Sequence, residues 1–215
     1  MRRKLVIWGA SGHARVVAEI VRLNGDYEIT GFLDDVNPSR QNTQFCGATI
    51  LGGKEQLDLL ARAGVQHLIF GFGDCKAKLR LSNFVREKKS FRLATAIHPS
   101  ATVASDVEVG AGTVIAAGAV ASAASKIGEN AIINTCASID HECEIEEGVH
   151  ISPGAHLGGR VTVGRATWVG IGAIVKDNVR IGANSIVGAG ALVLEDIPES
   201  VVAYGSPAKV SRKLQ

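Results

Sequence analysis

The feature that most constrains this chain is a six-residue period that holds phase for almost half its length. Stepping by six from Ile97 gives Val103, Val109, Ile115, Ala121, Ile127, Ile133, Ile139, Ile145, Ile151, Leu157, Val163, Val169, Val175, Ile181, Val187 and Val193, and only Ala121 departs from Ile, Leu or Val. Four places after each comes a second in-phase series of mostly small residues, among them Ala101, Thr113, Ala119, Ala131, Ala137, Cys143, Ala155, Ala173 and Ala191. A helix repeats at 3.6 and a strand at 2, so neither produces this pattern. Short straight segments joined by tight corners do, three of them closing a triangular coil of about 18 residues. The aliphatic residue points into the prism and the small one fills the space beside it. A Gly, Asn or Asp directly after the aliphatic is expected to turn the corner, at Gly110, Gly128, Asn134, Asp140, Gly158, Gly164, Gly170, Gly182 and Gly188.

The first ninety residues follow a different rule. KLVIW (4–8) is a buried-strand run, GASGH (9–13) a Gly-rich turn, and ARVVAEIVRL (14–23) carries apolar residues at helical spacing. YEITGFLDD (27–35) and QHLIFGFGD (66–74) read as further strands, EQLDLLARAG (55–64) and KAKLRLSNFVREKK (76–89) as helices. The alternation predicts a small parallel α/β sheet of Rossmann-like, nucleotide-binding type over 1–95, followed by a parallel β-helix and C-terminal tail over 96–215. AIHPSA (96–101) joins the two with no flexible linker, so they are expected to pack rigidly around a crevice.

In such a sheet, ligands gather at the carboxyl ends of the strands. Gly9 and Gly12 let backbone approach a ligand, Ser11 can cap the helix, and amides at the helix start can hold phosphate. His13 faces a phosphate or caps the turn; Asp34 and Asp35 meet sugar hydroxyls or cap a turn; Gly71, Phe72 and Gly73 border the same crevice. The full GxGxxG pattern of a dinucleotide site is missing, and so is a GxSxG nucleophile elbow.

With 23 basic and 21 acidic residues, the chain has no basic excess to drive nucleic-acid or membrane-surface binding. Its apolar stretches are broken too often to span a membrane, and the few apolar residues before Gly9 are too short for a signal peptide, so a cytoplasmic location is expected. Cys46, Cys75, Cys136 and Cys143 have neither CxxC nor zinc spacing and are expected to be free thiols.

IDHECEIEEGVHI (139–151) interrupts the monotony. Ile139 and Cys143 stay in phase, so His141 and Glu142 face outward, where the bland reading is a wet surface. A histidine beside a carboxylate is also what general-base chemistry needs, with either Glu142 or Glu144 as the orienting acid. His150 lies half a coil further on and faces another side of the prism, so the two histidines meet only across a subunit contact. One coil beyond His141 stands Gly159, whose bare amide can donate to an oxyanion. His141, His150 and His156 are three histidines in one region, but their spacings of nine and six suit no zinc ligand set, and a metal role would leave the N-terminal domain unemployed.

With GASGH, FLDD, NTCASIDHECEIEEGVHISPGAHLGG (134–159) and YGSPAK (204–209) in this order, the whole chain resembles the hexapeptide-repeat sugar acetyltransferases. The branch is that of the sialic acid O-acetyltransferases and the bacillosamine-pathway N-acetyltransferases. The resemblance implies left-handed coils and a homotrimer that binds acetyl-CoA between neighbouring prisms, with no metal. It implies His141 as general base with Glu142 beside it, His150 near the reacting end of acetyl-CoA, Ile171 and Ala189 along the pantetheine and nucleotide arm, and Pro207 and Lys209 near its far end. Ser11, Gly12, His13, Asp34, Asp35 and Gly73 would hold a nucleotide-activated amino sugar. Asp74 stands where relatives often carry Asn. O-acetylation of sialic acid and a non-catalytic scaffold are the alternative functions.

Overall fold

The structure, a computed structural model, describes residues 2–214. Leu5, Val6 and Ile7 of β1 (Arg3–Trp8) are all sealed from solvent, as a central parallel strand covered on both faces requires. α1 (Gly12–Asn24) follows, burying Ala14, Val17, Ala18, Ile20 and Val21, and stops at Gly25, whose φ of 74° and N–H bond to the Val21 carbonyl form a left-handed cap. The chain continues through β2 (Tyr27–Leu33), β3 (Gln44–Phe45), β4 (Ala48–Gly52), α2 (Leu57–Arg62), β5 (His67–Phe70), α3 (Cys75–Lys88) and β6 (Arg92–Leu93). The sheet order is β3-β4-β2-β1-β5-β6, parallel except for the β3–β4 edge hairpin. That hairpin lies in QFCGATILGG, where strands this short and glycine-rich carry no period to read.

From Ala96–Ile97 to Leu192–Val193 the chain makes two-residue strands six apart, each from the second coil onward stacked in parallel on the strand one coil below, as Ile132 is on Val114. Three sheets form the sides of a left-handed prism. From Ile115 onward every in-phase aliphatic is buried, while Ile97, Val103 and Val109 are half-buried at the open lower end. Thr113, Ser125, Thr167 and Ser185 occupy the small-residue column, and each hydroxyl donates to a carbonyl of the next coil at 2.8–2.9 Å, so these buried hydroxyls carry no unmet hydrogen bond. The hairpin Val201–Gly205 and Ala208–Lys213 closes the upper end.

The corners correct one expectation. Left-handed φ falls three places after the aliphatic, at Gly112, Gly118, Ala124, Asn130, Cys136, Glu142, Gly148 and Arg160, not one place after it. Non-glycine residues are held there because each N–H is captured by the coil below: Glu142 N–H by the Ala123 carbonyl and Arg160 N–H by that of His141. The glycines directly after the aliphatic serve close approach instead. A Cβ at Gly158 would stand 2.7 Å from the Asp177 nitrogen of the coil above.

One column of the first sheet runs Ala96, Val114, Ile132, His150, Trp168, Ile186. Its first three members join Leu5, Ile7, Val17 and Ile20 in one core under α1, so the two domains share buried surface. His150 stands where that cover ends.

Candidate active site

His141 lies at the corner between the strands Ser138–Ile139 and Glu144–Ile145, half-exposed. Its Nδ1–H donates to Glu142 Oε2 at 2.9 Å, which leaves the Nε2 lone pair open. Glu142 is therefore the orienting acid; Glu144 stands on the next strand, paired with Lys126 and Thr162. Arg160, one coil above, donates to the same Glu142 oxygen at 3.1 Å, and its Nε is fixed by Asn178 Oδ1 at 2.9 Å, another coil on. The hydrogen bond from His141, and then Arg160, hold the Glu142 carboxyl below the usual carboxylate range. Arg160 and Asn178 escaped sequence reasoning, although stepping 18 from Glu142 reaches each in turn.

Gly159 is where the coil arithmetic puts it. The three atoms that a Cβ on it would meet first all belong to His141, Cε1 and Nε2 at 2.7 Å and Cδ2 at 3.2 Å. Its N–H has no hydrogen-bond partner among the described residues, and it opens with His141, His156, Arg160 and Lys176 onto a groove of about 570 Å³.

His150 is on another side of the prism, buried in the seam between the domains. Trp168 stacks on it with ring centroids 5.3 Å apart and planes 10° off parallel, and Trp168 is itself fixed through Nε1 to Ser152 Oγ. The Thr135 N–H holds Asn134 Oδ1 at 2.8 Å, which turns the Asn134 amide so that Nδ2 donates to His150 Nε2 at 3.1 Å. Nδ1 therefore carries the His150 proton and faces Gly73, where a Cβ would crowd the ring. Burial, and then the nearby Lys78, push His150 down to about 3 and His13 down to about 4, so both are neutral at pH 7 and neither offers a phosphate a positive charge.

The carboxyl ends of β1, β2 and β5 enclose a cavity of about 540 Å³. Ser11 lines it and occupies the N-cap of α1, but its hydroxyl makes no capping bond and stays free for a ligand. Asp34 and Asp35 line it as well, yet both are largely spent on the protein. Asp34 accepts the Val36 and Asn37 N–H groups and pairs with Arg40, whereas Asp35 accepts Trp8 Nε1 at 2.5 Å and the Lys54 N–H at 2.8 Å. Gly12 opens α1 with free space around it, and Asp74 caps α3 through the Ala77 N–H. Lys54 and Arg80 complete the lining as cations with no carboxylate partner among the described residues.

Ile171, 61% exposed, and Ala189 stack one coil apart at the corner between the first and second sheets, whereas His141 lies between the second and third. Pro207 follows a cis bond from Ser206 in the terminal hairpin, and Lys209 is exposed on its last strand. No group of three or more His, Cys, Asp or Glu among the described residues is placed to hold a metal ion, and all four cysteines are free.

Residues 4–85 match the PglD N-terminal domain, and residues 160–195 match the bacterial transferase hexapeptide repeats. A perosamine N-acetyltransferase from Caulobacter crescentus, solved in complex with CoA and GDP-perosamine, is 38% identical over 98% of this chain and 97% of its own, with a TM-score of 0.92. The chain belongs to the hexapeptide-repeat sugar acetyltransferases. The acetyltransferase domain of PglB from Neisseria gonorrhoeae, in complex with acetyl coenzyme A, is 34% identical to the enzyme over 98% of this chain and 100% of its own, with a TM-score of 0.91. WeeI from Acinetobacter baumannii, at 23% identity over 97% of this chain and 100% of its own, shares the fold with a TM-score of 0.87. No curated protein matches the enzyme.

Proposed function

We propose that the enzyme transfers the acetyl group of acetyl-CoA to the amino group of a nucleotide-linked amino sugar, such as a 4-amino-4,6-dideoxy sugar, for surface glycan synthesis. The observation that carries this reading is the His141 imidazole, tied through Nδ1 to Glu142 and open at Nε2. The nucleotide-sized cavity at the carboxyl ends of β1, β2 and β5, lined by Ser11, Lys54 and Arg80 with their polar ends free and with Gly12 opening α1 next to Ser11, supports a diphosphate-bearing acceptor. Domains meeting at 95/96 divide the work between acceptor and acetyl donor.

Acetyl-CoA supplies an acetyl group activated as a thioester. The apolar corners at Ile171 and Ala189 fit its extended arm, and Lys209, Arg212 and Lys213 on the terminal strand fit its phosphates. His141 Nε2 removes the proton that the amine nitrogen loses as it bonds to the acetyl carbon, and Glu142 steadies the imidazolium so formed, while the proton passes on to the departing thiolate. The free Gly159 N–H is available to the carbonyl oxygen as it gains charge. His141 and the His13–His150 seam lie on different sides of one prism, so a single reaction that uses both draws them from two chains, which supports a homotrimer with sites between subunits. No helix among the described residues is long and apolar enough to cross a membrane, which fits cytoplasmic use of both substrates.

The test is release of free CoA thiol from acetyl-CoA in the presence of a panel of nucleotide-linked 4-amino sugars; no release with any of them removes the reading. His141→Ala is expected to lower kcat by about 10²–10⁴-fold with the oligomer intact. Unchanged turnover would remove His141 as base.

A further inference from the structure

α3 climbs one corner of the prism across three coils. Arg86 pairs with Glu129, Lys78 Nζ donates to the Asn130 carbonyl at 2.7 Å, Leu79 fills the space over Gly148, and the Cys75 thiol reaches the Thr167 carbonyl at 3.7 Å. Lys78 is the anomaly in this row. It is 1% exposed, its hydrogen-bond acceptor is a neutral carbonyl, and it makes no ion pair among the described residues. An unpaired buried ammonium carries a large desolvation cost that a methionine of the same length would avoid. Tethering α3 to the corner does not explain a charge, since an amide would donate to the same carbonyl.

In the seam, where both feel the Lys78 charge, His13 from α1 and His150 from the prism stand with ring centroids 6.3 Å apart. His13 Nε2 and His150 Nδ1 are both buried without a hydrogen-bond partner, and no carboxylate bonds either ring. We propose that Lys78 is a positioning residue whose fixed ammonium, added to burial, keeps the facing His13–His150 pair uncharged well into acid, so that proton transfer at the completed site stays confined to His141 there. An imidazolium at either position would sit in the field of a like charge with no acid to neutralise it. A protonated His150 would also present an N–H from Nε2 to the Asn134 amide, which already donates there.

The groups that face Lys78 agree with this. On its own helix are Cys75, whose thiol burial drives up and keeps neutral, and Asp74, which caps the helix; across the seam, among the described residues, stand the two histidines. Burial brings Lys78 down to about 8, so it remains cationic at pH 7, and its charge adds to burial in depressing both imidazoles. Their neutral state therefore extends further into acid than burial alone would carry it.

Two substitutions separate charge from tether. Lys78→Gln keeps a donor for the Asn130 carbonyl and loses the charge; Lys78→Met loses both and keeps the length. In ¹⁵N-histidine spectra, assigned with His13→Asn and His150→Asn, the two imidazoles of the parent are expected to show no titration above about pH 5, roughly a unit over the higher of their values. In both variants a midpoint should rise by about one unit, a tenfold larger imidazolium population at a given pH. The melting temperature should hold or rise as the unpaired cation is removed, and kcat/KM at pH 4.5 relative to pH 7.5 should fall about threefold further than in the parent, because a midpoint moved from about 4 to about 5 cuts the neutral imidazole at pH 4.5 by that factor. Identical histidine titrations in parent and folded Lys78→Gln would overturn the proposal. So would a loss of melting temperature in Lys78→Met that Lys78→Gln restores with the titrations unmoved, the signature of a tether alone. The kinetic part rests on the acetyl-transfer reading and the spectra do not, so the two can fail separately.

Discussion

Replacing Gly159 with Ala should disable the site without disturbing the fold. The backbone at Gly159 is not in the left-handed region, so a side chain brings no conformational strain there. The new methyl would stand 2.7 Å from His141 Cε1 and Nε2, whereas ordinary contact begins at 3.4 Å, so the ring must retreat by about 0.7 Å. It can do so, because the His141 side chain is 47% exposed and only one hydrogen bond holds the ring. Stability should then be unchanged or raised by up to about 1 kcal/mol through the stiffer unfolded chain. The reacting nitrogen, however, moves by most of an ångström, and a displacement of this order costs about 10²-fold in rate. Thiol release measured beside a thermal melt should show kcat/KM lowered by about 10- to 100-fold at an unchanged or slightly raised melting temperature. Alanine keeps the Gly159 N–H, so the loss would be assigned to the displaced base and not to a missing oxyanion donor. Full activity would refute the claim that this glycine exists to seat the imidazole, and a collapsed melting temperature would refute the claim that His141 alone occupies the space.

Arg160→Met removes a charge that depresses the Glu142 carboxyl. That group works as a carboxylate, its function present above its pKa and lost as pH falls through it; without Arg160 the pKa rises, so the acid limb of kcat/KM should shift upward in pH. An unshifted limb would leave Arg160 without influence on the relay. Gly148→Ala adds a methyl at a φ of 69° and 2.7 Å from Leu79 Cγ of α3, and is expected to cost about 1–3 kcal/mol. For a chain of this size that lowers the melting temperature by roughly 2–10 °C; a smaller change would mean that α3 yields easily at that corner.

The sequence made the prism legible because a six-residue period is incompatible with helix or strand and every coil repeats the test. It separated His141 from His150 by phase alone, and the structure keeps them on different sides. Other features depended on residues remote in sequence. The 18-residue ladder from Glu142 through Arg160 to Asn178 becomes visible only once the coil length is taken as a pairing rule. Asp34 and Asp35 read either as sugar ligands or as turn caps; Asp34 does cap the turn through the Val36 and Asn37 N–H groups, and Arg40, Trp8 Nε1 and the Lys54 amide claim the remaining carboxylate oxygens through folding of loops that have no period. Lys78 lies in KAKLRLSNFVREKK among lysines and arginines that face water, and only its helical spacing from Cys75, Ser82 and Val85 places it on the face that the prism covers.

Since each strand stacks on the one 18 residues earlier, the prism also measures distance in whole steps of about 4.8 Å, the spacing of paired strands. An inserted or deleted residue would throw every later side chain out of phase, and removal of six would rotate the upper part by one side. A complete extra coil placed between Val163 and Val169 would leave the interior intact and lift Ile171, Ala189 and the terminal hairpin one step away from His141. On the proposed reading the reach from His141 to the donor's anchoring corners is thus quantised, and a donor with a longer or shorter arm would be accommodated by counting coils.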